Sequence, residues 1–180
     1  MKRAIPATVL LAFVAGSLMS GCTTPASPQE LAAVERMIQQ TESMRTQLNG
    51  PDTTALRHMG ALFQAERPGI EQRFGDTLLR PEAEVLGNYH RAMAERLPRL
   101  MQARRAERAR LDSTLIRLRH LRHDLDQGLM TGKKRQAALH MEERWNTALR
   151  QDLDSLAART QALIQERTSY RAAIDSLLRQ

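Results

Sequence analysis

LRQDLDSLAARTQALIQERTSYRAAIDSL, residues 149–177, places an apolar side chain at every seventh position: Leu149, Leu156, Leu163, Tyr170 and Leu177, with Leu153 and Ile174 between them. Two turns of α-helix take about 7.2 residues, so this repeat lays one stripe along one helix face. Upstream, Leu97, Leu111, Leu118 and Leu125 keep the same phase, with Met101 and Leu115 interleaved. Between the two stripes stands Gln127-Gly128-Leu129-Met130-Thr131-Gly132, a cluster of turn formers. The patterns on either side, about 81–127 and 133–179, are nearly equal in length. Together they predict a coiled-coil-like antiparallel helical hairpin over 81–180 with its turn near 128–132.

At about 1.5 Å per residue each arm would reach roughly 70 Å. Pro98 interrupts the first arm, and its missing N–H predicts a kink or restart near Leu97. Two registers fit the stripes. Folding at Gly132 pairs Leu115 with Leu149, Leu111 with Leu153 and Met101 with Leu163; folding nearer Met130 pairs Leu111 with Leu149 and Leu97 with Leu163.

The seam carries charge. Arg104, Arg108 and Arg122 on the first arm, and Thr160 and Arg167 on the second, fall on it. Their stems can pack while the charged heads reach the rim. The alternative is that the run 104–110, with Arg104, Arg105, Arg108 and Arg110, is a loosened basic stretch that receives an acidic partner or anion. Leu86, Met93 and Leu100 widen the apolar face of the first arm at the end away from the turn. That width predicts docking of the N-terminal helices there, at the base, with the turn near Leu129 left free.

Residues 27–80 read as two or three shorter helices. Ser27-Pro28-Gln29-Glu30 combines a cap, a proline suited to the first turn and a capping-box acid. Leu31, Val34, Ile38, Thr41 and Leu48 follow on one face until Asn49-Gly50-Pro51. A second segment, about 52–66, turns Leu56, Met59, Leu62 and Phe63 inward and is expected to stop at Pro68-Gly69. A shorter piece holds Ile70, Phe74, Leu78 and Leu79. The composition agrees with an all-α chain: 42% of residues are hydrophobic but only 3% aromatic.

The chain opens with Lys2-Arg3, an apolar stretch over 7–19, and Leu18-Met19-Ser20-Gly21-Cys22. These residues resemble the signal peptide and lipobox of bacterial lipoprotein precursors, with Met19 where that family usually has leucine. The resemblance covers residues 1–23. It implies a signal peptide at 1–21, cleavage between Gly21 and Cys22, two or three acyl chains on Cys22 and a lipidated tether at 22–26. Thr23, rather than Asp, after the cysteine implies the inner leaflet of the outer membrane, facing the periplasm. Two or more acyl chains hold a protein on a bilayer where one does not, since each buried CH2 contributes about 0.8 kcal/mol. Cys22 is the single cysteine, which leaves no intramolecular disulfide.

Formal net charge is +7 and falls to +5 without Lys2 and Arg3; 24 of the 27 basic residues are Arg. A modest excess suits anionic head groups or wall polymer and gives little support to nucleic acid. No Gly-rich phosphate loop, nucleophile elbow or His-Glu-x-x-His helix is present. His120 and His123, three apart, have metal-ligand spacing, but they and His140 point away from the seam in the heptad phase, which predicts solvated side chains. Met37, Met59, Met93, Met101 and Met141 fall on apolar faces, and Trp145 is expected to anchor a layer near the turn. No cofactor beyond the covalent lipid is expected. The reading is a non-enzymatic envelope lipoprotein whose hairpin binds another envelope protein, peptidoglycan or a second copy, as in an accessory subunit of a trans-envelope assembly. The alternative is a periplasmic holdase, or an envelope-stress or metal sensor; the Leu-Thr-x-x-Gln repeats of known small periplasmic chaperones are missing.

Overall fold

The computed structural model describes residues 25–74 and 80–179, all α-helical apart from short connections, with no strand among them. The helices are α1 (Pro28–Leu48), α2 (Pro51–Phe74), α3 (Arg80–Arg91), α4 (Leu97–Asp126) and α5 (Gly132–Arg179). A π-helical turn, Ala92–Arg96, joins α3 to α4 and ends two residues before Pro98. A π-turn widens the backbone to i→i+5 bonding and so absorbs a proline's missing donor.

Helix α1 starts on a complete capping box. The Ser27 Oγ accepts the Glu30 N–H at 3.2 Å, and the Glu30 carboxylate accepts the Ser27 N–H at 2.7 Å. That bond from the Ser27 backbone, with Arg135 beside it, holds the Glu30 carboxyl below its usual pKa. At the other long connection, Gly128 adopts φ 62°, the left-handed region open to glycine. Its N–H bonds Leu125 O and the Leu129 N–H bonds Asp124 O, so α4 ends in a Schellman motif.

Cross-helix ion pairs give the relation of α4 to α5. Arg96 reaches Glu166 and Arg110 reaches Asp152, each at 2.7 Å and each pair equidistant in sequence from Thr131. These two pairs are centred between the two registers that the stripes allowed, whereas Arg117 with Glu142 is centred nearer Met130. Leu97, Leu111, Leu115, Leu118, Leu125, Leu149, Leu156, Leu163 and Ile174 are buried; Met101, Leu153 and Tyr170 are half-buried against them. The side chain of Leu177 lies outside the described residues.

The expected docking of the N-terminal helices at the base is corrected for α1. It lies along the turn half of α4 and α5, starting beside the turn: Glu30 pairs with Arg135 at 2.7 Å, Glu35 with Arg122 at 3.1 Å, Glu42 with Arg119 at 2.9 Å, and Asp112 with Arg45 at 3.4 Å. Val34, Met37 and Ile38 are buried with Leu115, Leu118, Leu121, Leu125 and Leu139. Burying such a side chain contributes about 1.5–3 kcal/mol, and Leu121 gave α1 an apolar landing site beside the heptad stripe. Helix α2 packs against the other half of α5.

Helix α2 also runs through Pro68 rather than stopping there. Phe63 and Ile70, seven apart, are both buried on its inner face, while Pro68 is exposed. Burial of Ile70 offsets the roughly 3 kcal/mol that an interior proline costs. Tyr89 packs edge-on against Phe63, their centroids 5.9 Å apart, and donates its hydroxyl to the Glu66 carboxylate. Burial, then the hydrogen bond to Glu66, raises the Tyr89 pKa to about 12.

Ile38→Ala, at the α1 interface, is expected to lower unfolding free energy by about 2–5 kcal/mol. Ile116→Ala, at an exposed position of α4, is expected to change it by less than about 0.5 kcal/mol. Urea denaturation followed by circular dichroism checks both; equal small effects would mean that α1 is not packed as described.

Candidate basic cleft

Arg104 falls on the heptad stripe, seven residues from both Leu97 and Leu111, so the repeat itself carries a guanidinium into the interior. It is only 8% exposed, which corrects the expectation of a head group at the rim. Its Nη2 donates to Leu48 O at 2.5 Å and to Thr53 Oγ1 at 2.8 Å; its Nη1 donates to Thr160 Oγ1 at 3.3 Å. Leu48 O belongs to α1's last turn, where a helix C-terminus offers acceptors to a cation, and it also accepts the Thr53 hydroxyl at 2.8 Å. Thr160 is fully buried and passes its own proton to Leu156 O. The Arg104 Nε–H has no hydrogen-bond partner among the described residues. Burial pushes this guanidinium below its usual pKa, opposed by the charge of Asp52, which in turn accepts Gln161 at 2.9 Å.

Above Arg104 opens a cleft of about 470 Å³ lined by Arg57, Arg104, Arg105 and Arg108, with Leu48, Asn49, Thr53, Leu56 and Met101. Among the described residues no acidic side chain lines it. Arg57, Arg105 and Arg108 are exposed, and none makes an ion pair with the described residues. Their freedom contrasts with Arg110, Arg117, Arg119 and Arg122 further along α4, each of which holds a carboxylate. Three of the four arginines of the basic run thus converge. The fourth, Arg110, faces elsewhere and is held by Glu107 and Asp152, which raise its pKa. Arg57 was not legible from the run, because it arrives from α2.

A second open groove, of about 530 Å³, follows the α4–α5 seam and is lined by residues of these two helices alone, among them Ala106, Ala109, Ser113 and Trp145. Trp145 is 46% exposed, with the Arg117 guanidinium 4.5 Å over its ring. It is not the buried anchor that was expected. Arg117 is held there by Glu142, which is buried. Met141, expected on an apolar face, is also 46% exposed, whereas Met37, Met59 and Met93 are buried.

His120, His123 and His140 are exposed, and no group of three or more His, Cys, Asp or Glu residues that could hold a metal occurs among the described residues. Gly21 and Cys22 lie outside the described residues. No helix among those described is long and apolar enough to cross a membrane. No protein-family model, curated protein or solved structure matches the chain.

Arg104→Met keeps an apolar stem and removes the charge. Thr53 Oγ1 and Thr160 Oγ1 then lose the guanidinium donor and Leu48 O keeps only the Thr53 hydroxyl, at an expected net cost of about 1–3 kcal/mol in unfolding free energy. A urea midpoint equal to or above that of the parent protein would show that the desolvation of Arg104 outweighs its hydrogen bonds.

Proposed function

We propose that this protein is a non-enzymatic envelope lipoprotein, anchored through acyl chains on Cys22, and that its two long arms close as an antiparallel helical hairpin serving as a protein-interaction module in the periplasm. The lipobox-like leader supports the anchor. The cross-helix ion pairs and the Schellman turn support the closed arms. The observation that carries the interaction role is the groove along the side of the α4–α5 seam that α1 leaves open, with Trp145 and Met141 exposed beside it.

Small residues on α4 and an exposed aromatic on α5 are what a helix of another envelope protein packs against. The charges bordering the groove are already matched within the chain: Arg110 by Glu107 and Asp152, and Arg117 by Glu142. The partner helix is therefore apolar on its docking side.

The anchor also takes a direction that the sequence did not suggest. Ala26 and Leu31 pack on the same cluster as Met130 and Ala138, so α1 begins at the turn end. Five extended residues span at most about 17 Å. The turn end therefore faces the bilayer, and the end holding α2 and α3 projects away from it.

Cys22→Ser expressed in a Gram-negative host is expected to shift the protein from the membrane fraction to the soluble one and to abolish acyl labelling; retention on the membrane would contradict the anchor. A photocrosslinker at Ala109 is expected to give one or a few defined adducts that Trp145→Glu removes. A broad distribution of adducts insensitive to Trp145 would instead favour a holdase.

A further inference from the structure

We infer that the cleft of Arg57, Arg104, Arg105 and Arg108 is a binding site for a phosphate-bearing ligand from the aqueous side of the envelope, separate from the helix-docking groove. Four guanidinium groups share one cleft without a lining carboxylate, and three of them have no counter-ion among the described residues. Arginine forks match phosphate oxygens in pairs. A singly charged carboxylate would leave most of this charge unbalanced, whereas a pyrophosphate or a phosphomonoester dianion matches it.

The buried member separates this cleft from an ordinary basic surface. Arg104 is more than nine-tenths buried, its fork is fixed by Leu48 O, Thr53 and Thr160, and its Nε–H is unpartnered. It supplies a positive charge that does not move away when the cleft is empty. Arg57 and Arg105, with Arg108 one turn further along α4, form the adjustable rim. The α1–α2 connection at Asn49 and Gly50 closes one wall; there the Gly50 N–H bonds Gln47 O at 3.1 Å. Leu48, Leu56 and Met101 keep that wall apolar, so less water competes for the guanidinium groups.

Position along the bundle favours a ligand away from the anchoring leaflet. The rise of α4 from Arg104 to Gln127 at the turn end is roughly 35 Å. That exceeds the span of the tether, so in an upright molecule the cleft stands clear of the head groups. The orientation rests on the lipid anchor proposed above; the cleft itself does not.

Isothermal titration calorimetry of the full chain in detergent, with inorganic pyrophosphate as the probe, tests the site. One equivalent is expected to bind, with affinity falling as salt rises. The surface double variant Arg105→Gln/Arg108→Gln is expected to weaken binding at least tenfold while circular dichroism stays unchanged. Arg110→Gln is expected to leave it within twofold. Absence of binding at millimolar pyrophosphate, or binding that survives the double variant, overturns the site. Succinate binding as tightly as pyrophosphate overturns the phosphate assignment. Displacement of pyrophosphate by phosphatidylglycerol vesicles, but not by phosphatidylcholine vesicles, overturns the aqueous source in favour of a lipid head group. Loss of the anchor in Cys22→Ser, with pyrophosphate binding retained, would separate the two proposals.

Discussion

A guanidinium cannot be taken out of water without acceptors, and Arg104 meets that demand from three other helices at once. The last turn of α1 gives Leu48 O, the first turn of α2 gives Thr53, and α5 gives Thr160. Such a charge returns as net stability only part of what its bonds supply, because desolvation consumes the rest. What it confers is geometry. With Arg104 inside, α1 must end and α2 must begin at this level of the bundle, and the two-residue connection of Asn49 and Gly50 follows.

The apolar interior is divided on either side of a polar step. Met44, Leu48, Leu111 and Leu149 belong to one cluster, and Val34, Met37, Ile38, Leu115 and Leu118 to the other. Between them Thr41 and Thr114 are buried, and Thr41 returns its hydroxyl to Met37 O at 2.7 Å. The turn-side cluster is closed by α1, the other by α2 and α3. The end of α1, with Met44 and Leu48, also reaches the second cluster, and α4 and α5 run through both. The grooves left between helices, one basic and one apolar, lie where this covering is incomplete.

The heptad stripe was legible because a period of seven needs only local sequence, and most of the buried leucines of α4 and α5 fall on it, Leu100, Leu121 and Leu139 excepted. The cap at Ser27 and the turn at Gly128 were legible for the same reason. The place of α1 was not. Its ion pairs join residues such as Glu30 and Arg135, about a hundred positions apart, and no periodicity records a partner at that separation. Two matching stripes also appeared to satisfy each other, which hid the second landing site offered by Leu121 and Thr114. Pro68 misled because local propensity was overridden by burial of Ile70. Of the basic cleft, the run on α4 was visible. Arg57 and the burial of Arg104 were not, since arginine on a seam ordinarily reaches the rim.

The arrangement most at stake is α1 lying beside the turn end of α4 and α5. Spin labels at Gln29 and Lys134, in a chain with Cys22 replaced by serine, report it directly by pulsed electron resonance. Both positions are exposed, and Glu30 touches Arg135 next to them. The account predicts one narrow distance distribution below about 25 Å. A dominant distance of roughly 50 Å or more, the separation expected if α1 docked at the far end of the two long helices, would contradict it.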